Sequence, residues 1–224
     1  MTLWQTLLFT VFPYVCLTTF VVGHAYRYVT DRFGWNARSS EFLEKKQLFF
    51  GSIPFHIGII ATFMGHAGGL LVPQRIYDIF GITAQMHMTI AHWSGLAVGL
   101  AAFAGVLVLG WRRMKQPRLK TVTTRNDMVT LAALVVVIGT GLYNVLFSHF
   151  DVLYTVAPWI RGIVTFTPDS TLMLEVPLGV RVHVTAAWTL LAYSPFTRLV
   201  HIWSIPLFYL VRPLIVYRRQ VRQV

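Results

Sequence analysis

Four histidines lie on two apolar segments of this 224-residue chain, in an order that allows them to form two pairs. His56 and His66 are ten residues apart on one segment, and His183 and His201 are eighteen residues apart on the other. Ionisable groups inside a membrane are costly and usually serve a function. Because imidazole nitrogen is a common axial ligand of haem iron, the pattern predicts two histidine-ligated haem centres at two depths of a bilayer.

The composition indicates that most of the surface faces lipid. The chain is 55% hydrophobic and only 12% charged, with a mean hydropathy of +0.60, whereas soluble domains carry about 25% charged residues. A transmembrane helix needs about 20 mainly apolar residues. We therefore expect an all-α integral membrane protein, a five-transmembrane-helix bundle that forms a single membrane domain over residues 1–224. The expected spans are about 3–26, 48–72, 86–111, 128–150 and 179–210, followed by a basic tail over 211–224.

The basic residues are distributed unevenly between the two sides of the predicted membrane. Of nineteen Lys and Arg, sixteen fall in the loop after the first span, the loop after the third span and the C-terminal end. Only Arg75, Arg161 and Arg181 fall on the other side. This positive-inside asymmetry predicts an outer N-terminus and a cytoplasmic C-terminus. It argues against a nucleic-acid partner, although the basic inner face could attract anionic lipid or an acidic protein.

The single cysteine limits the kind of cofactor. Cys16 lies inside the first span. One thiol cannot form an internal disulfide, a CxxCH attachment site for c-type haem or the ligand set of an iron–sulfur cluster. Any haem is therefore expected to be b-type or a relative, and any iron–sulfur cluster to belong to another subunit.

The order of the spans determines how the histidines pair. The second span runs outward and the fifth runs inward, so the only uncrossed pairing joins His66 to His183 near the outer face and His56 to His201 near the inner face. Helical rise separates His56 from His66 by about 15 Å and His183 from His201 by about 27 Å. A tilted fifth helix or a bend at Ser194–Pro195 would reduce this mismatch.

Residues beside the histidines suggest how a cofactor would be accommodated. Gly65 and Gly69 flank His66, and glycine allows close approach of either a neighbouring helix or a flat macrocycle. Arg181 and Arg198 precede His183 and His201 by two and three residues. Each arginine could pair with a haem propionate or extend toward the membrane interface.

Several stretches of the chain resemble the gamma subunit of respiratory nitrate reductase over nearly the whole length. The segment 195–204, with the sequence PFTRLVHIWS, is the most specific of them. The others are Pro54 to Ile59, Gly65-His66, Arg181 to His183, Pro13-Tyr14, Trp35 with Arg38 to Ser40, Pro73 and Thr123-Thr124.

The resemblance implies a five-span, two-haem b cytochrome in a prokaryotic inner membrane. In that family the gamma subunit oxidises quinol near the outer face. It passes electrons inward to a cytoplasmic iron–sulfur beta subunit, and a molybdenum-containing alpha subunit reduces nitrate. The family's ligand positions fall on His56, His66, His183 and His201. A quinol site is expected beside the outer haem, near Gly65 and Gly69, and the loop carrying Gln85 and His87 would supply a proton acceptor.

The outer loop from Gly81 to Met88 departs from the family pattern, because it has no lysine where that pattern is lysine-rich. The sequence therefore leaves the quinone type open.

Two alternative functions also stay open from the sequence. The chain could also be the two-haem anchor of a related molybdenum oxidoreductase, including a nitrite-oxidising complex with reversed electron flow. A haem-free membrane anchor or small transporter, whose histidines only bridge helices, is the other alternative. A reduced-minus-oxidised spectrum distinguishes a cytochrome from such an anchor.

Overall fold

The computed structural model describes residues 2–31, 34–35, 40–148 and 150–203, and within these ranges the chain is helical, without strands. This confirms the predicted all-α class for the described residues. The helices are α1 (Leu3–Thr30), α2 (Lys46–Leu71), α3 (Gln74–Ile79), α4 (Ala84–Lys115), α5 (Pro117–Lys120), α6 (Arg125–Phe147), α7 (Val156–Val164) and α8 (Leu178–Tyr193). Short 3₁₀ turns lie at Ser170–Met173, Ser194–Phe196 and Arg198–Ile202.

Four helices are long and apolar enough to cross a membrane, namely α1, α2, α4 and α6. They coincide with the first four predicted spans. Large apolar side chains cover their outer faces, and on α2 Ile57, Ile60 and Phe63 are 64%, 59% and 65% exposed. Contiguous apolar surface on this scale marks a membrane or protein interface. The fold is that of a multi-pass membrane protein, and the orientation of its termini stays a prediction.

The fifth predicted span is interrupted. Helix α8 ends at Tyr193 after 16 residues, about 24 Å of rise, which is shorter than the hydrocarbon core of about 30 Å. Pro195 has no N–H to continue the helix, and Thr197 has extended backbone angles of −124° and −178°. The fifth predicted span, about 179–210, is therefore not a continuous α-helix across residues 194–203, and the predicted bend at Ser194–Pro195 lies where the helix ends. Residues 204–210 and the basic tail 211–224 lie outside the described residues.

Helices α1 and α6 hold the interrupted segment in place. A Cβ on Gly23 of α1 would lie 2.9 Å from the Cβ of Pro195, so glycine is needed for this contact. Arg27 Nη1 donates to the Pro195 carbonyl at 3.0 Å. Asn126 Nδ2 of α6 donates to the Phe196 carbonyl at 2.7 Å. These bonds satisfy carbonyls that the helix break leaves without an intrahelical partner.

Helices α2 and α4 pack with their backbones in contact. A Cβ on Gly58 would lie 2.5 Å from the Val98 oxygen and 2.6 Å from the Ala102 nitrogen. A Cβ on Gly105 would lie 2.5 Å from the Phe55 nitrogen. Lipid provides no hydrophobic driving force for helix association, so close packing must stabilise the contact, and small residues at the crossing permit it. This crossing fixes the position of α2, the helix that carries His56 and His66.

A buried arginine fixes the loop that precedes α2. Arg112, near the end of α4, is only 1% exposed. Its Nε donates to Glu44 Oε2 at 2.7 Å, and its terminal nitrogens donate to the hydroxyl and carbonyl oxygens of Ser40 at 2.9 and 3.0 Å. From the sequence, Arg112 was counted only among the basic residues of the loop after the third span. Instead Arg112 is the buried centre of the contact between the loop and α4.

We expect Gly58→Ala to destabilise the helix bundle, because its methyl group would overlap the backbone of α4. Overpacking of this kind costs about 1–3 kcal/mol. The measurement is the thermal unfolding midpoint of the purified protein in detergent. Gly110→Ala is the matched control on α4, since a Cβ there meets nothing within 4 Å. Equal midpoints for the two variants would contradict the close α2–α4 contact.

The Glu44 carboxylate should make stability depend on acid pH. Burial raises the pKa of Glu44, but hydrogen bonds from Gln47 N–H, Arg112 and Leu48 N–H outweigh it and hold the pKa below its usual value. A lowered folded-state pKa stabilises the fold above the unfolded pKa of about 4.3, and this stabilisation is lost as pH falls through the folded pKa. The Glu44→Gln variant should therefore be less stable than wild type at neutral pH, and its stability should decrease less when the pH is lowered. The measurement is the unfolding midpoint as a function of pH. If the midpoints of variant and wild type decreased in parallel, the contribution of the Glu44 carboxylate to stability would be disproved.

Candidate functional site

The four predicted histidines come together as two pairs. His56 of α2 faces His201 of the turn Arg198–Ile202, with 5.9 Å between ring centroids and 69° between ring planes. His66 of α2 faces His183 of α8, with 6.1 Å between centroids and 42° between planes. These are the two pairs that the order of the spans predicts. Each joins α2 to the fifth apolar segment.

All four imidazoles are oriented by a backbone carbonyl. The Nδ1 atoms of His56 and His66 lie 2.8 Å from the carbonyl oxygens of Ser52 and Thr62 respectively. His183 Nδ1 lies 3.0 Å from the Val137 oxygen, and His201 Nδ1 lies 2.5 Å from the Arg198 oxygen. A carbonyl only accepts, so each Nδ1 carries the hydrogen and each Nε2 keeps its lone pair. Among the described residues, none of these four Nε2 atoms has a hydrogen-bond partner.

The ring separations suit one metal ion between the members of each pair. A bond from imidazole to a first-row metal is about 2.0–2.1 Å long, which places the two centroids on opposite sides of one ion about 6.3 Å apart. The observed 5.9 and 6.1 Å are close to this value. In the described part of the chain, no three His, Cys, Asp or Glu side chains gather at one point. Two imidazoles per site are a donor set that suits a haem iron, whose remaining ligands come from the porphyrin.

Glycines leave room beside the pair formed by His66 and His183. A Cβ on Gly141 of α6 would lie 3.0 Å from Cε1 of His183, so the imidazole occupies space that a side chain would fill. A Cβ on Gly65 would meet nothing within 4 Å, which leaves open space next to His66. Gly65 was predicted to matter, whereas Gly141 was missed because nothing in the local sequence connects it to His183.

A second polar cluster lies just beyond the C-terminal end of α2. Gln74 Nε2 donates to Asp78 and to the Ile82 carbonyl, so Gln74 Oε1 must accept from Nδ1 of His87, 3.0 Å away. His87 Nε2 therefore keeps its lone pair, and it lies 3.6 Å from where a Cβ on Gly69 would be. The Tyr77 ring packs on His87 at a centroid distance of 4.4 Å.

The structure thus brings Gly69 and His87 together but does not bring Gln85 to them. The Gln85 side chain is exposed. The last turn of α2, Ala67–Leu71, is a π-helical turn, an irregularity that is frequent at functional sites. The importance of Gln74 for the His87 tautomer was not predicted.

Both predicted propionate partners are bonded within the protein. Arg198 forms an ion pair with Asp127 of α6, through Nε to Oδ1 and through Nη2 to Oδ2. Arg181 donates to the carbonyls of Val176 and Leu174 in the loop before α8. These contacts give both guanidinium groups a structural role. Contact with a propionate stays a prediction for both.

The fold and site together define a class of protein: a helical multi-pass membrane protein with two histidine pairs that each offer two Nε2 lone pairs. Residues 5–220 match the family described as nitrate reductase gamma subunit. The chain belongs to this family, which confirms the resemblance seen in the sequence. As a gamma subunit it is part of a nitrate reductase, an oxidoreductase complex with other subunits.

Individual relatives agree with this assignment. The chain is 41% identical over 218 residues to the nitrate reductase gamma chain of Bacillus subtilis, covering 96% of this chain and 98% of that protein. It is 34% identical over 209 residues to the respiratory nitrate reductase 1 gamma chain of Escherichia coli, covering 91% and 92%. The nitrate reductase-like protein NarX of Mycobacterium tuberculosis is 38% identical over 218 residues, which cover 95% of this chain and 33% of that longer protein.

Proposed function

We propose that the chain is the two-haem b cytochrome subunit of a respiratory nitrate reductase in a prokaryotic inner membrane. It oxidises quinol near the outer face and passes electrons inward to an iron–sulfur beta subunit, while a molybdenum-containing alpha subunit reduces nitrate. One observation carries the proposal: in each of two histidine pairs, the distance between ring centroids fits one iron between the rings. Both Nε2 atoms of each pair keep their lone pairs.

The residues of the chain determine where each haem would bind. His66 and His183 would hold the outer group, and His56 and His201 the inner one. A haem bound in such a pair supplies one-electron redox chemistry. The four bonds from Nδ1–H to backbone carbonyls keep each ring in orientation and increase its basicity as a ligand. Because these carbonyls belong to the helices and to the turn Arg198–Ile202, the fold itself orients the four rings.

The outer end provides a proton acceptor for quinol oxidation. Quinol must lose protons when it is oxidised, and His87 Nε2 offers a lone pair beside Gly69. Gln74 maintains this tautomer, and Gly65 and Gly69 leave space for the quinol ring. Protons released outward and electrons delivered inward store energy in the membrane potential, about 2.3 kcal/mol per charge per 100 mV.

The inner end fits docking of the beta subunit. Sixteen basic residues fall on the predicted cytoplasmic side, and the Lys45 side chain, for example, is 80% exposed. The ion pair between Arg112 and Glu44 holds the adjoining loop in one conformation. A rigid, basic surface favours association with an acidic partner.

Replacing single histidines tests the ligand assignment. His66→Ala or His183→Ala should reduce the haem content from two to one per chain by removing the outer haem, and His56→Ala or His201→Ala should remove the inner one. Haem quantitation with redox titration of the purified complex measures both. A variant that keeps two haems with wild-type potentials would contradict the role given to that residue.

Gly141→Ala should perturb the outer pair selectively, because its Cβ would press on the His183 ring. We expect weaker outer-haem binding, by about the 10–100-fold typical of changes around metal ligands, with the inner haem retained. Gly139→Ala is the matched control two residues away, since its Cβ meets Phe103 at an ordinary 3.4 Å. Haem titration of detergent-purified variants provides the comparison, and equal affinity in both would contradict this role of Gly141.

His87→Ala should reduce quinol-driven nitrate reduction by about 100-fold, the lower end of what a general base contributes. Haem content and activity with artificial dyes that reduce the cytoplasmic subunits directly should remain. Gln74→Ala should produce a smaller loss of quinol-driven activity, because the His87 tautomer is then no longer fixed although the imidazole remains. Full activity in His87→Ala would contradict the role given to His87, and loss in Gln85→Ala alone would indicate that Gln85 binds the quinol hydroxyl by a hydrogen bond.

A further inference from the structure

His201 differs from the other three paired histidines because it does not lie on an α-helix. It belongs to the 3₁₀ turn Arg198–Ile202, which follows the end of α8 at Tyr193. His56, His66 and His183 are held by regular helical backbone. The position of the His201 ring instead depends on whatever holds this turn, and the ring itself is bonded through Nδ1 to the Arg198 carbonyl.

Asp127 holds the residue that provides this carbonyl. Its two carboxylate oxygens accept from Nε and Nη2 of Arg198. Asp127 is only 5% exposed. Its Oδ2 also accepts the backbone N–H of Thr124 at 2.9 Å and lies 3.5 Å from Arg113 Nη1. The carboxylate is therefore fixed by the capping box at the start of α6 and cannot rotate away from Arg198 without losing these bonds.

The preceding residue of α6 holds the other end of the break. Asn126 Nδ2 donates to the Phe196 carbonyl at 2.7 Å, and its Oδ1 accepts from the Tyr193 hydroxyl. Two consecutive residues of one helical turn thus contact the chain at Tyr193, Phe196 and Arg198. We call Asn126 and Asp127 the α6 clamp.

We propose that the α6 clamp positions the ligand of the inner centre, with Asp127 orienting the His201 imidazole through Arg198. This inference rests on the proposed function, in which His201 binds the inner haem. Asp127 is a positioning residue, since it contacts neither His201 nor the cofactor. The proposal also gives Arg198 a definite role, because its guanidinium connects α6 to the turn while its carbonyl orients the ligand. Groups that orient a ligand tune the metal it binds.

The test is Asp127→Asn in the intact complex, examined by low-temperature EPR of the oxidised haems and by redox titration. One carboxylate oxygen becomes an NH₂ group, which cannot accept from Arg198 or from Thr124 N–H. We expect the inner-haem EPR signal to shift or broaden and its midpoint potential to move, with the outer-haem signal unchanged. The EPR signal is essential, because it reports the relative orientation of the two imidazole planes, which loss of a charge alone does not change.

Asp169→Asn is the control, since Asp169 is exposed and only caps the turn Ser170–Met173. Asn126→Ala, which removes no charge, should alter the inner-haem signal in the same direction as Asp127→Asn. If the Asp127→Asn complex fails to assemble, the inner-haem EPR signal of Asn126→Ala tests the inference in its place. Wild-type inner-haem signals in the variant that assembles would overturn the inference. Absence of haem from the wild-type protein would instead contradict the proposed function, so the two failures are distinguishable.

Discussion

Four imidazole lone pairs on two apolar segments are the constraint on which the rest of this structure depends. A polar group without a partner in a low-dielectric interior costs about 1–3 kcal/mol, and in lipid it has no water to turn to. Each histidine satisfies its Nδ1 with a carbonyl and leaves its Nε2 without a partner among the described residues. Two such rings with their centroids about 6 Å apart form a favourable arrangement when a metal ion lies between them.

This constraint accounts for the unequal shapes of the two histidine-bearing segments. On α2, His56 and His66 are ten residues apart on one helix, about 15 Å. A continuous helix would separate His183 from His201 by about 27 Å, too far for both pairs to close. The helix is instead interrupted after Tyr193, and His201 contacts His56 from the turn Arg198–Ile202. Gly23, Arg27 and Asn126 contact this interrupted segment and hold it in place. The close contact of α2 with α4 keeps the opposite side of each pair rigid.

Much of the fold could be predicted because hydropathy and histidine order are local properties of the sequence. They gave the first four spans and both pairs. The extent of the helix break could not be predicted, since Pro195 indicates a bend but not an extended Thr197. Contacts between distant residues were also hidden: Asp127 with Arg198, Gly141 with His183 and Arg112 with Glu44. Arginines near the membrane interface were interpreted as solvated or cofactor-binding, because no sequence pattern identifies the buried carboxylate or the carbonyls that they contact.

The most direct test of the central claim is the number and ligation of haems in the purified wild-type complex. Haem extraction and quantitation against protein gives the number, and near-infrared magnetic circular dichroism of the oxidised complex identifies the axial ligands. The account predicts two b-type haems per chain, both low-spin with two imidazole ligands. Fewer than two haems, or a haem with a ligand other than histidine, would contradict it.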